Sequence, residues 1–189
     1  METFIGYHGT CPEAARSILS EQYFLPSQSD TEWAGHGIYF FLDANPHTAY
    51  NHAFRWAKYI RKCNNPTVLK ATISIDEKDI LDLRDLEHRE YFEQDRLRLF
   101  REAQRYASDH GLPLDPNMLD KRKLDCFTIN HICDYENPPL LAVIAEVNIN
   151  FYRSINFPSS SYPNSTILCL RDSTLITNIA QIQGWLLWN

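Results

Sequence analysis

A chain of 189 residues with 44% hydrophobic residues is long enough for one domain with a real core and is not a disordered polymer. Its formal net charge of −6 argues against a protein that works by gripping phosphate backbones, while leaving room for a local basic patch. No apolar run approaches the ~18 residues needed to cross a membrane, and the opening METFIGYHGT lacks the charged-then-apolar plan of a secretory signal. The expectation is therefore one soluble, cytoplasmic domain over 1–189.

In chain order, FIGYH reads as a short strand. Thr10-Cys11-Pro12-Glu13 follows as a helix start, with Thr10 as the cap, Glu13 three residues on, and Pro12 where a missing N–H costs nothing. The helix runs through AARSIL to about Gln22, and Phe24-Leu25 opens an extended piece. The polar run PSQSDTEWAGH at 26–36 is a loop. GIYFFL is strand-like. Residues 47–62 carry Ala49, Ala53, Trp56, Ala57 and Ile60 at helical spacing, with positive charge towards the end. TVLKATISI alternates as a strand, and ILDL is a shorter one. A charged stretch at 86–110, with Tyr91, Leu97, Phe100 and Ala103 as its stripe, is a long helix stopped by Gly111 and Pro113. A second helix covers roughly 119–135. LLAVIAEVNI is a buried strand, and TILCL and TLITNIA close the fold as two more. The sum is an α+β fold with mostly antiparallel sheet and a helical insert at about 86–135. No Gly-rich strand-turn-helix supports a Rossmann or P-loop site.

The five cysteines, at 11, 63, 126, 133 and 169, form no C-x-x-C pair and are odd in number. They read as free, mostly buried thiols in a reducing compartment. No metal is expected, because neither they nor the histidines show trusted ligand spacing. Two basic clusters stand out as candidate local patches that keep RNA or DNA open, Arg55-Lys58-Arg61-Lys62 and Lys121-Arg122-Lys123, with solvated helix faces as the plainer reading of both.

Three short pieces carry the chemistry: Tyr7-His8-Gly9-Thr10 at a strand end, Gly35-His36-Gly37-Ile38-Tyr39-Phe40, and Ala49-Tyr50 in the following helix. A flat cationic ring is held by aromatic faces, for which Tyr39 and Tyr50 are candidates. A carboxamide needs one donor and one acceptor, which bare backbone at Gly9 supplies. A ribose needs a group such as imidazole, and His8 provides it. Each also has a bland reading, as a satisfied histidine, a core aromatic or a tight turn.

His-Gly-Thr, then Gly-x-Gly-Ile-Tyr-Phe, then Ala-x-Tyr together resemble the catalytic domain of the poly(ADP-ribose) polymerase and diphtheria-toxin branch of ADP-ribosyltransferases. The resemblance is strong over residues 5–57 and weak from there to about 139. It implies an ADP-ribosyltransferase-like fold, with two small, mostly antiparallel sheets forming an NAD cleft, and NAD as co-substrate without metal. By the resemblance, His8 bonds the adenosine-side ribose, Gly9 the carboxamide, and Tyr39 and Tyr50 flank the ring. Thr10, Ser27, Gly37 and His47 join the NAD contacts; His47 stands where related enzymes often place a serine. Trp33 shares with Ser27 the loop that would cover NAD. Thr174 to Gln181 is similar to the family's last core strand. The third active-site residue, often glutamate, should precede that strand, where this chain has Asp172 and Ser173. That departure implies transfer of a single ADP-ribose rather than polymer synthesis. It also admits two alternatives, a catalytically weak NAD- or ADP-ribose-binding module and an NAD glycohydrolase. Glu146 is a further candidate to activate an acceptor, beside a plain surface role. The implied acceptor is a macromolecule, protein or RNA/DNA. A small single-domain enzyme of this kind resembles a bacterial toxin-type or phage-defence effector, with a cognate antitoxin as partner and no membrane.

Overall fold

The structure, a computed structural model, describes residues 1–151, 158 and 160–182. Its elements are β1 (Glu2–Thr10), α1 (Pro12–Glu21), β2 (Ile38–Phe41), α2 (Pro46–Arg55), β3 (Thr67–Ile75), β4 (Ile80–Asp82), α3 (Leu86–Asp109), α4 (Lys121–Tyr135), β5 (Ala142–Val147), β6 (Ser165–Leu170) and β7 (Ile176–Gln181). This is a mixed α+β fold. The strands join in one seven-stranded sheet, in the order β4-β5-β6-β2-β1-β3-β7, where two small sheets were expected. Its two halves are held together by very little. β1 pairs with β3 along its whole length, from Glu2↔Ile75 to Thr10↔Thr67, but with β2 only at Tyr7↔Phe41.

All pairings are antiparallel except β4 with β5. Parallel neighbours need a long crossover, usually helical. α3 and α4 supply it, so the stretch read as an insert is the connection that this pairing requires. Asp85 caps α3 by accepting from the Glu87 and His88 N–H groups, and Asp120 caps α4 through Lys123 N–H.

Alternation along the strands builds a core on each face of the sheet. On β5, Val143, Ala145 and Val147 join one buried cluster with Ala49, Tyr50 and Ala53 of α2 and Ile129 and Ile132 of α4. Ala142 and Ile144 join the other, with Ala15 of α1, Phe24, and Leu69, Ala71 and Ile73 of β3.

Three local expectations are corrected. Thr10 does not cap α1: it remains in β1, held by Thr67, and Cys11 takes the cap position without a side-chain bond. The helix expected over 47–62 ends as α2 at Arg55 and continues as a π-helical turn, Trp56–Ile60. The cysteines are not all free, since Cys11 and Cys63 form a disulfide, while Cys126, Cys133 and Cys169 are buried thiols. The β1–β3 register explains the pair. It brings the end of β1, just before Cys11, beside the start of β3, just after Cys63. A disulfide here removes the thiol-based argument for a reducing compartment. Among the described residues, no helix is long and apolar enough to cross a membrane.

Candidate functional site

The site begins where β1 and β2 part. Continuing their register past Tyr7↔Phe41 would set Gly9 against Tyr39, but no such pair forms. The strand ends diverge, and a cavity of about 650 Å³ opens there, with His8, Gly9, Thr10, Gly37 and Tyr39 among its lining residues. That volume falls within the ~300–1,000 Å³ of small-molecule sites.

The His8 side chain bridges the gap. Its Nδ1 lies 2.9 Å from the Tyr39 carbonyl oxygen. A carbonyl only accepts, so Nδ1 carries the proton, and in the neutral ring Nε2 is left as an acceptor. The ring sits edge-on to Phe24 and Phe40, at centroid distances of 5.1 and 6.0 Å. Burial pushes the imidazole below its ordinary pKa; the bond to Tyr39 opposes this, and the charge of Arg61 adds to it. The neutral form is therefore favoured.

Tyr39 carries the covering loop. Its hydroxyl donates to the Gly35 carbonyl at 2.6 Å and accepts from the Ala34 N–H at 3.0 Å. Burial raises the phenol far above its usual range. The loop is closed at its base by two backbone bonds between Ser27 and Gly37, at 2.8 and 3.0 Å. It is also tied to α4, where Asn130 accepts from the His36 N–H, Arg122 lies over the Trp33 ring at 5.0 Å, and Lys123 reaches Asp30 at 3.6 Å. The second basic cluster therefore braces the loop, whereas the first contributes Arg61 to the cavity lining.

The cavity's aromatic walls differ from those expected. Trp33 and Trp56 line it with Tyr39, and the two indoles meet edge-on at 5.3 Å. Tyr50 does not line it. That residue is buried in the cluster shared by α2 and α4, with its ring stacked on Phe54. The Tyr39–Tyr50 sandwich is thus replaced by Tyr39 with two tryptophans.

The remaining predicted residues divide in the same way. Ser27 lines the cavity. His47 is exposed in the first turn of α2, its backbone N–H capped by Asn45. Asp172 caps the 3₁₀ turn Ser173–Leu175 by accepting from Thr174, and neither it nor Ser173 lines the cavity. Glu146 is exposed on β5, opposite Thr166. The carboxylates that do line the cavity are Glu21 and Glu32, which sequence reasoning missed. Glu32 sits inside a polar loop with no periodicity to mark it; its only signal was its place between Ser27 and Trp33.

Gly9 is required by packing as well as by any ligand. A Cβ there would lie 1.8 Å from the Ala53 carbonyl oxygen of α2. One other constellation resembles a catalytic triad but is not arranged as one. Asp43 and Ser165 both meet His52 at the same nitrogen, Nδ1, each at 2.9 Å. A Ser-His-Asp relay uses opposite ring nitrogens. The cluster instead pins α2 to β6, since Asp43 also accepts from the Thr166 N–H. Among the described residues, no group of three His, Cys, Asp or Glu side chains is suited to hold a metal.

No family model and no solved structure matches the chain. It is 36% identical over 92 residues to an uncharacterized protein of Methanocaldococcus jannaschii. That match covers 46% of this chain and 40% of the relative, so the chain spans well under half of the relative's length.

Proposed function

We propose that the chain binds NAD⁺ in the cavity between β1 and β2 and transfers a single ADP-ribose to a macromolecular acceptor, releasing nicotinamide. One observation carries the reading. An imidazole whose Nδ1 is held by the Tyr39 carbonyl and whose Nε2 has no hydrogen bond among the described residues, the strand edge of Gly9 and Thr10 that β2 leaves unpaired, and Tyr39 share one cavity with two indole walls. These are the groups a ribose, a carboxamide and a flat cationic ring require. The cation matters in particular, because the pyridinium is attracted to aromatic faces by about 0.5–2 kcal/mol each. Arg61 at the lining adds a positive charge for the diphosphate.

Incubation of the whole chain with labelled NAD⁺ and a lysate, followed by protease or nuclease digestion, tests this. The expected result is free nicotinamide together with label on one acceptor class, both lost in His8→Ala. Nicotinamide release at the same rate in buffer alone identifies a glycohydrolase. NAD⁺ binding without release identifies a binding module.

A further inference from the structure

Cleavage of the nicotinamide–ribose bond leaves positive charge on the sugar, as in glycoside hydrolysis, where a carboxylate facing that carbon stabilises it or receives a proton. The residues before β7 do not provide one here, because Asp172 is engaged in its turn and lies outside the cavity lining. Of the two carboxylates that line the cavity, Glu21 is exposed at the end of α1 and accepts from Ser17. Glu32 is half-buried and lines the cavity together with its neighbour Trp33 and with Tyr39.

Resting on the reading above, we propose that Glu32, presented by the covering loop, is the catalytic carboxylate of this site. Its position is prearranged. Oε1 accepts from the Ser27 hydroxyl at 2.5 Å, and Ser27 is itself held by its two backbone bonds to Gly37. Oε2 takes no hydrogen bond among the described residues and is left for substrate. The negative charge of Glu32 is close enough to Tyr39 to contribute to the raised phenol pKa. A carboxylate fixed beside that ring, rather than one that must swing in, avoids reorganisation at the moment of reaction.

The step balances without redox chemistry. The bond between ribose C1′ and the pyridinium nitrogen breaks, the electron pair goes to nitrogen, and neutral nicotinamide departs. The positive charge moves to C1′ and the ring oxygen, facing Glu32. The acceptor's lone pair closes on C1′, and its proton passes to the Glu32 carboxylate and then to water. NAD⁺ and the acceptor become ADP-ribosyl-acceptor, nicotinamide and one proton.

Nicotinamide release by the full chain in the presence of the same lysate, measured across pH for Glu32→Gln and for Asp172→Asn, decides the matter. Glutamine keeps an oxygen to accept from Ser27, so the loop is retained. The expected result is a kcat lowered ~10²–10⁴-fold in Glu32→Gln, with KM and NAD⁺ affinity kept and the acid limb of the pH profile lost. Asp172→Asn keeps the wild-type rate. A wild-type kcat in Glu32→Gln overturns the assignment while leaving the function standing, and so does a joint loss of NAD⁺ affinity and kcat, which marks a loop brace. A wild-type chain that releases no nicotinamide overturns the function and this role with it.

Discussion

Gly9→Ala is expected to be the most damaging single substitution near the site. The added Cβ would sit 1.8 Å from the Ala53 carbonyl oxygen and 2.5 Å from its carbon. Both are backbone atoms of α2, and a helix cannot move one carbonyl aside without losing its ladder. Overpacking of this kind costs about 1–3 kcal/mol where side chains yield, and more where the obstacle is backbone. The expected result is a loss of more than ~3 kcal/mol of stability, read as a lowered denaturation midpoint in urea. A midpoint equal to that of the wild type would mean that α2 does not lie on β1 as described. Lost activity in this variant reports folding, so it is no proof of ligand contact.

Tyr39→Phe ranks second. If stacking were the only role of Tyr39, phenylalanine would be mild, since the ring is kept. The hydroxyl, however, is the internal tie of the covering loop: it is the partner of the N–H of fully buried Ala34 and shares the Gly35 carbonyl with the Cys169 thiol. Each buried group left without a partner costs about 1–3 kcal/mol. The loop that carries Ser27, Glu32 and Trp33 should therefore loosen. The expected readout is faster hydrogen exchange across residues 27–37, and a clear loss of NAD⁺ affinity in Tyr39→Phe that Tyr39→Ala exceeds by the lost ring contact. Unchanged loop protection in the phenylalanine variant would contradict the tie.

The elements with strong periodicity were legible. TVLKATISI became β3, the charged stripe at 86–110 became α3, and GIYFFL contained β2. Features set by distant partners were not. Thr10 has a capping signature, yet the Thr10↔Thr67 pairing keeps it in a strand. Cys11 and Cys63 are separated by 52 residues, and only the β1–β3 register brings them together. β4 reads as a minor strand, but its parallel pairing with β5 gives α3 and α4 their place as a crossover.

The site divides along the same line. His8, Gly9 and Tyr39 reach the cavity because they lie where neighbouring strands end, a position that short motifs mark well. Tyr50 does not, because the sequence cannot tell a helix tyrosine facing the core from one facing a cleft, and the α2–α4 cluster claims it. Trp33 and Glu32 come from a loop, where no period points at them, and Trp56 lies on a helical stripe whose period does not tell a core position from a cavity wall.

The central claim is tested most directly by a crystal structure of the chain with a non-hydrolysable carba analogue of NAD⁺. The pyridinium ring should lie against Tyr39 and the two indoles, with the carboxamide on the Gly9 backbone and the adenosine ribose bonded to His8 Nε2. An analogue bound outside this cavity, or a cavity left empty at saturating analogue, would contradict the account.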